Sequence, residues 1–555
     1  MKKIHLLILA CLMVCETISA QQKAISLIDS GYIYFNKHDF KKSAYFYDTY
    51  YLIQKHPQSN YDTYKAAVAS SYIGNIDNAR YYIKRSGEIF YDYSGFYEYP
   101  SYNAFVNDTL HNHLRDLPEW KNFITVLKFK ADSAEQSIRK ITLALKDSSA
   151  RSNLSIWDKP NWQQRAGKLS RLALIKEIKN FHNFPKVKKT DYWTLYDIKV
   201  NDTLTVPFLL YIPNNYQPSQ KTPLYIYLHG AIINRKSFSN PAWIEKGSEI
   251  KIMDQAKAQN AFILYPFGRK DFGWLYQQTA FETILKEISR IKSLYNIDDN
   301  KVFVGGHSNG GSGAYWFSVN QPNYFSAFFG LNYLPKVYSG NTSLRNMGNE
   351  KSFYGISGTV DPVFPYPLVN DLYQYARQNG ANWRNYSRHG DHGLSIYKRD
   401  SINFIFDTLK NITRDPFPKK IQWETDNIRN GRNAWLEISE LDTLKENAIW
   451  QVPLNPTVTQ NGKTGKLEFN KNKSGAFIAT ANQNKISIQT SRVKKVKLYL
   501  SEDQFDFNKP LQVKINDRQI VTLKPAADRK TIIDEFLRSR DRSLLISQII
   551  EITIL

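Results

Sequence analysis

The chain has 555 residues, of which 42% are hydrophobic and 23% are charged, and this composition excludes general disorder. Because domains usually contain about 100–200 residues, a chain of this length predicts about three domains. The formal net charge is +23, but the lysine and arginine residues are spread along the chain without a long basic block. This distribution predicts a solvated basic surface and no nucleic-acid partner.

Residues 1–20 have the features of a secretory signal peptide, with a basic start, an apolar run and a small residue before the cleavage point. Cleavage is predicted after Ala20, which would leave an exported protein, either periplasmic or secreted. A lipoprotein anchored at Cys11 is the alternative. The apolar run is too short for a mature transmembrane helix, and no later stretch qualifies, so the sequence predicts no transmembrane helix.

Both cysteines of the chain, Cys11 and Cys15, lie inside this predicted leader. The mature chain would therefore contain no disulfide, no thiolate nucleophile and no cysteine-ligated metal site. We predict no metal and no cofactor, and we expect the stability of the protein to come from packing.

Residues 21–150 predict an α-helical domain, because small and aromatic residues recur there at helical spacing. Matches between residues 31–47 and residues 67–83, at a shift of 36, form a weak internal repeat. These helices resemble degenerate tetratricopeptide repeats, whose period is about 34 residues. One interpretation is a groove for a protein partner, and the other is a helical platform packed on an enzyme domain. A further long helix is predicted from residue 117 to about residue 145.

Residues 151–190 predict a connecting segment, after which short apolar strands alternate with a helix. This alternation is typical of an α/β domain with a mostly parallel sheet, and we place that domain at residues 191–412. The predicted strands are residues 193–200, 203–212, 224–228, 261–265, 302–304, 325–329 and 353–356, with a helix at 279–294. Residues 417–555 alternate with period two between turns and predict a small all-β sandwich or barrel, either a structural appendage or a glycan-binding module.

The motif that points most directly to chemistry is the run GHSNGG at residues 306–311, which contains Ser308. It stands between a predicted strand and a predicted helix, as a nucleophile elbow requires, and its glycines leave room for a strained serine backbone. The alternative is a serine in a tight glycine turn without chemistry. We predict that Ser308 is a nucleophile.

A serine hydroxyl needs a base, and with such an elbow the acid and the histidine follow the serine along the chain. Asp361 follows the predicted strand at 353–356 and is the predicted acid, with Asp391 as a rival. His392 is the predicted base because it precedes a glycine at the start of a helical segment. His389 is the alternative base.

The negatively charged oxygen that forms during acyl transfer needs two backbone N–H donors. One is predicted to be Asn309, the residue after the nucleophile, and the second is predicted from Gly230 or Ala231. Candidates to line the substrate site are His307, His389, Trp274, Trp243 and Tyr333.

Residues 193–410, about 40% of the chain, resemble the α/β-hydrolase superfamily and, more narrowly, its polyhydroxybutyrate-depolymerase and feruloyl-esterase-like group. The stretches that carry the resemblance are residues 206–213, 223–230, 265–269, 295–298, 306–311 and 358–363. The resemblance implies ester hydrolysis through an acyl-serine intermediate without a cofactor. Residues 231–233 depart from the lipase-type pattern, because a glycine run does not follow His229.

The sequence therefore predicts an exported serine hydrolase that cleaves a small-molecule or polysaccharide-linked carboxylic ester. One alternative is a serine peptidase of the prolyl-oligopeptidase type, although such enzymes usually carry an N-terminal β-propeller and residues 21–150 predict helices. The other alternative is a non-catalytic binding protein on a hydrolase scaffold, against which the complete set of nucleophile, base and acid argues.

Overall fold

The structure is a computed structural model, which describes residues 27–53, 60–89, 102–145, 157, 159–230, 252–269, 271–394, 399–460 and 463–555. It divides into two compact units, one of the described residues up to 141 and one of those from 142 onward. No helix within these ranges is long and apolar enough to cross a bilayer. The predicted signal peptide lies outside the described residues.

The first unit is helical. Its helices are α1 (27–36), α2 (Phe40–Ile53), α3 (Asn60–Tyr72), α4 (Ile76–Ile89), α5 (Tyr102–Val106) and α6 (Pro118–Leu145). A shift of 36 residues carries Phe40, where α2 begins, onto Ile76, where α4 begins. The repeat seen in the sequence thus corresponds to a repeated helix pair, while its assignment to the tetratricopeptide class stays a prediction.

The second unit contains an eight-stranded sheet with the order β1-β2-β4-β3-β5-β6-β7-β8. Its strands are β1 (Tyr192–Lys199), β2 (Thr205–Ile212), β3 (Thr222–Leu228), β4 (Phe262–Pro266), β5 (Ile297–His307), β6 (Ala327–Leu331), β7 (Phe353–Gly358) and β8 (Trp383–Arg388). Strand β2 is antiparallel to both of its neighbours, and the other neighbouring pairs are parallel. The predicted mostly parallel sheet is confirmed, and its strand order is consistent with the predicted α/β-hydrolase fold.

Helices pack on this sheet and bury its central strands. They are α9 (Asp254–Ala258), α10 (Gln278–Leu294), α11 (Asn309–Asn320), α12 (Tyr366–Gln378) and α13 (Arg399–Leu409). Residues 224–228 of β3 are each 0% exposed, as the continuous apolar run of a doubly covered parallel strand requires. The carboxyl ends of β3, β5, β6, β7 and β8 meet at one edge, where loops carry function in such folds.

The C-terminal region forms a β-sandwich, within the range of folds that the alternating pattern predicts. One sheet has the order β18-β17-β15-β14-β9 and the other has the order β10-β11-β16-β19. The strands of the two sheets, in chain order, are β9 (Lys420–Thr425), β10 (Arg432–Asn433), β11 (Leu436–Leu441), β14 (Gly475–Asn482), β15 (Lys485–Ser491), β16 (Val493–Leu500), β17 (Leu511–Ile515), β18 (Gln519–Leu523) and β19 (Gln548–Thr553), while β12 (Thr457–Gln460) and β13 (Lys463–Lys466) form a separate hairpin. Apolar side chains from both sheets share one core, among them Trp423, Phe477 and Val496.

The segment that the sequence predicts as a connection contains two helices, α7 (Pro160–Lys168) and α8 (Arg171–Lys179). They pack on α14 (Arg529–Ser539), the helix of the C-terminal region, through a cluster that includes Trp157, Leu174 and Phe536. The segment therefore belongs to the packed interior of the second unit. The domain boundaries given above stay predictions.

A buried cluster of charged side chains joins the hydrolase sheet to the C-terminal region. Arg414 Nη1 lies 2.8 Å from Asp541 Oδ2, and Lys292 Nζ lies 2.9 Å from Asp299 Oδ1, which also receives Arg542 on its other oxygen. None of the five side chains is more than 3% exposed. Burial alone would raise the pKa of Asp541, but Arg414 and Lys292 outweigh it and hold this pKa below its ordinary value.

Replacing Asp541 by asparagine should lower the free energy of unfolding by about 3–5 kcal/mol at pH 7, because the buried Arg414 loses its counter-ion and Lys292 keeps only Asp299. Urea unfolding followed by tryptophan fluorescence measures this difference. The matched control is Asp534→Asn, which removes an exposed partner of Lys530 on α14. We expect the control to change the free energy by less than about 1 kcal/mol. Equal unfolding midpoints for the two variants would contradict the stabilising role of the cluster.

The contribution of Asp541 should depend on pH in a defined direction. A carboxyl group with a depressed folded-state pKa stabilises fully above its unfolded pKa of about 3.9 and loses this contribution as the pH falls through the folded value. The difference between wild type and Asp541→Asn should therefore stay constant from neutral pH down to about pH 5 and shrink in stronger acid.

Candidate active site

Ser308 occupies a sharp turn between strand β5 and helix α11. Its backbone angles are φ 54° and ψ −120°, which is a strained conformation for a residue with a side chain. The Ser308 N–H donates to the carbonyl oxygen of Leu331 at 2.9 Å, and the Ser308 carbonyl accepts from Ser312 N–H at 3.1 Å. The surrounding strands thus hold the serine in this conformation at the carboxyl edge of the sheet.

Two glycines beside the serine are required by close contact with strand β3. A Cβ atom on Gly306 would lie 2.1 Å from the carbonyl oxygen of Leu228, and one on Gly310 would lie 1.8 Å from the same atom. Both distances are far below van der Waals contact, so a larger residue at either position would push the turn away from β3. The glycines predicted for a nucleophile elbow therefore have a steric basis here.

Ser308, His392 and Asp361 form a continuous hydrogen-bonded chain. His392 Nε2 lies 2.9 Å from Ser308 Oγ, and His392 Nδ1 lies 2.8 Å from Asp361 Oδ2. The three residues come from the β5–α11 turn, the loop after β8 and the loop after β7. This is the geometry of a nucleophile, a general base and an orienting acid.

Asp361 is held as a carboxylate. Burial alone would raise its pKa, but hydrogen bonds from His392 and from the backbone N–H groups of Phe364 and Val363 outweigh burial and lower the pKa. Asp361 Oδ1 accepts both backbone bonds, at 2.9 Å and 2.8 Å, which leaves Oδ2 for the imidazole. The Asp361 side chain is 1% exposed, whereas that of His392 is 21% exposed.

The ionised Asp361 decides which nitrogen of His392 carries the proton. A carboxylate only accepts, so Nδ1 must donate to it, and in the neutral ring Nε2 is then free to accept the Ser308 hydroxyl proton. The base therefore faces the nucleophile in the tautomer that proton abstraction needs.

The structure describes two of the three residues predicted as oxyanion donors, Asn309 and Gly230. Asn309 is the first residue of α11, where backbone N–H groups have no partner within the helix and the helix dipole favours negative charge. Gly230 follows His229, whose Nδ1 lies 2.8 Å from the Gly230 carbonyl and whose Nε2 accepts from Gly268 N–H at 3.1 Å. These bonds require a neutral His229 protonated at Nδ1. Ala231 lies outside the described residues, and both oxyanion donors stay predictions.

The candidate substrate-lining residues differ in their positions. His307 lies beside the triad, with its ring centroid 5.0 Å from that of His392. His389 is exposed, and its Nδ1 lies 3.5 Å from Thr359 Oγ1. Asp391, the rival acid, accepts from Gly393 N–H at 2.8 Å, whereas Asp361 contacts the base.

The aromatic candidates that the structure describes are interior side chains. Trp274 is 2% exposed, and its Nε1 donates to the His229 carbonyl at 3.0 Å. Tyr333 is 0% exposed and its hydroxyl accepts from Trp383 Nε1 at 2.8 Å. These two aromatic rings thus pack in the interior, where their polar atoms satisfy buried partners. Trp243 lies outside the described residues.

Sequence reasoning missed Asn332, which follows strand β6 at the same edge. Its side-chain amide lies between the loops of Asp361 and His392. The available signal was a polar residue three positions after the apolar strand predicted at residues 325–329, near the strand end where α/β sheets place functional groups.

No protein-family model matches the sequence, and no curated protein matches it. Among solved structures, the chain is similar to a thermostable esterase at 18% identity and a TM-score of 0.34, over 40% of this chain and 63% of that one. It is also similar to a ferulic acid esterase, at 16% identity and a TM-score of 0.33, over 40% of this chain and 98% of that one. A third is acylaminoacyl peptidase from Pyrococcus horikoshii, at 16% identity and a TM-score of 0.34, over 41% of this chain and 43% of that one. The chain thus spans less than two thirds of the first and the third.

Replacing Gly310 by alanine should destabilise the protein by about 1–3 kcal/mol and reduce its labelling by serine-directed probes, because the new Cβ displaces the turn from β3. Elsewhere in a helix the same change stabilises by about 1 kcal/mol. Gly167→Ala is the matched control, since no atom lies within 4 Å of its added Cβ. Thermal unfolding should show opposite signs for the two variants, and a stabilised Gly310→Ala would contradict the steric argument.

Proposed function

We propose that this chain is a serine hydrolase that cleaves carboxylic esters through an acyl-serine intermediate. The observation that carries the proposal is the unbroken hydrogen-bonded chain from Asp361 through His392 to Ser308 at a strained strand-to-helix turn. Structural serines do not require a strained backbone and a buried carboxylate aligned through one imidazole.

The proposed reaction begins with attack of Ser308 Oγ on the ester carbonyl while His392 Nε2 takes the hydroxyl proton. Asp361 stabilises the resulting imidazolium without taking the proton itself. The N–H of Asn309, together with that of Gly230 or Ala231, stabilises the negatively charged carbonyl oxygen. His392 then protonates the leaving alcohol, and water attacks the acyl-serine by the same path in reverse.

An ester substrate is favoured over a peptide by two features. First, the sequence stretches that carry the family resemblance are similar to the feruloyl-esterase-like group. Second, the described part of the N-terminal unit is helical, whereas prolyl-oligopeptidase-type enzymes usually carry an N-terminal β-propeller. Whether the ester is a small molecule or is linked to a polysaccharide would be determined by the loops around the substrate site. A protein partner for the helical unit stays a prediction.

Purified protein should hydrolyse p-nitrophenyl acetate and feruloyl or acetyl-sugar esters, and it should react with a fluorophosphonate probe. Ser308→Ala should lower kcat/KM by at least about 10⁴-fold and abolish labelling, because the nucleophile is removed. Ser318→Ala is the matched control: this buried serine lies on α11, and its Oγ donates to the Tyr315 carbonyl at 2.7 Å. We expect the control to keep activity and labelling.

The possible failures of this experiment separate the alternatives. Cleavage of a dipeptide anilide without cleavage of any ester would favour a peptidase. Absence of labelling in the folded wild type, or equal labelling of wild type and Ser308→Ala, would favour a non-catalytic binding protein.

We also propose that the protein is exported and that its signal peptide is cleaved after Ala20. The basic start, the apolar run and the small residue before Gln21 support this proposal. N-terminal sequencing of the protein recovered outside the cytoplasm should begin at Gln21. A lipid-modified amino terminus at Cys11 would favour the lipoprotein alternative, and an intact amino terminus on cytoplasmic protein would contradict export.

A further inference from the structure

Asn332 is a buried residue between the two loops that carry the acid and the base. It follows strand β6, is 1% exposed, and has a positive φ of 44°, a conformation in which asparagine is enriched over most other residues. Its Oδ1 accepts from Gly358 N–H at 2.8 Å, and its Nδ2 donates to the Asp391 carbonyl at 3.0 Å. One carboxamide therefore joins the backbone of both loops.

The two backbone atoms that Asn332 contacts lie close to the reacting groups in the chain. Gly358 ends strand β7 just before the turn that carries Asp361, and Asp391 immediately precedes His392. A second contact of Nδ2, to the Gly393 carbonyl at 3.5 Å, lies on the other side of His392. A shift of the Asn332 carboxamide would therefore move the backbone of both loops, and with it both partners of the Asp361–His392 hydrogen bond.

The described backbone-to-backbone hydrogen bonds between these loops stop short of His392. Thr359 N–H donates to Arg388 at 2.8 Å and Val360 N–H donates to Gly390 at 3.1 Å, which extends the β7–β8 ladder as far as residue 390. Beyond that point the side chains of Asn332 and His307 contact the backbone of residues 391–393. His307 Nε2 lies 2.8 Å from the His392 carbonyl and must donate to it, because a carbonyl oxygen only accepts.

We propose that Asn332 is a positioning residue for the triad, setting the alignment of Asp361 with His392 through the backbone of both loops. The inference rests on the proposed function. The role needs a side chain of this length with an acceptor for Gly358 and a donor for Asp391, and a carboxamide has both. Aspartate would keep the acceptor and place a second negative oxygen against the Asp391 carbonyl, and alanine would remove both bonds.

The test compares Asn332→Ala and Asn332→Asp with Asn346→Ala. Asn346 is a matched control because it is 3% exposed and its carboxamide also makes three bonds to backbone, to Val319 O, Glu424 O and Glu424 N at 2.7–2.8 Å. It contacts neither triad loop in these bonds. Both Asn→Ala changes should lower the melting temperature, since each leaves buried backbone groups without a partner.

Only the Asn332 variants should change the chemistry. We expect kcat to fall by about 10²-fold with KM changed less than about twofold, because the reacting groups are misaligned after binding. The low-field proton resonance of the His392–Asp361 hydrogen bond should weaken in both Asn332 variants and persist in Asn346→Ala.

Folded Asn332 variants with the wild-type kcat and low-field resonance would overturn the proposal. Losses in Asn332→Ala and Asn346→Ala that run in parallel would overturn it too, since they would reflect stability alone. If the wild type hydrolyses no ester, the proposed function fails, but the resonance still decides whether Asn332 aligns the Asp361–His392 pair.

Discussion

The contact between the Leu228 carbonyl and the two glycines of the Ser308 turn is the constraint on which the site depends. Gly306 and Gly310 approach this one oxygen so closely that neither position tolerates a Cβ atom. The contact brings the end of β3 against the start of α11, and the carbonyl of His229, the residue after β3, also lies close to Gly310. The strained backbone of Ser308 belongs to the same turn.

The remaining chemistry depends on loops that enter the site from more distant parts of the sheet. Asp361 and His392 follow β7 and β8, which lie two and three strands away from β5 in the sheet. Their alignment uses bonds to main chain: Asp361 accepts from two N–H groups, and Asn332 and His307 contact the backbone around His392. The buried ions around Asp541 lie in another part of the second unit and link the sheet to the C-terminal region, so stability and alignment have separate structural sources.

The sequence predicted those helices and strands whose buried residues form a regular apolar pattern along the element itself. The helix predicted at residues 279–294 is observed as Gln278–Leu294, and the strand predicted at residues 224–228 is observed as Thr222–Leu228. Strand β8 was missed, because Trp383–Arg388 lies at the edge of the sheet and only its first residue is buried. Helix α14 was missed as well, because its two buried apolar residues, Ile532 and Phe536, pack against helices more than 300 positions away in the chain.

The same distinction explains why the reacting groups were found and their supports were not. Strand order and chain order together restrict where an acid and a base can follow a nucleophile, so Ser308, Asp361 and His392 could be chosen from their positions. Asn332 bonds to the backbone of Gly358 and Asp391, which lie 26 and 59 positions further along the chain. Because almost any residue type offers these backbone atoms, no sequence motif marks the partners of Asn332. Trp274 was predicted to line the substrate site, but aromatic residues occur both in such sites and in protein interiors. Its hydrogen bond to the His229 carbonyl shows that it is an interior residue. Residues that act on main chain must therefore be sought at strand ends in the folded sheet, where Asn332 lies.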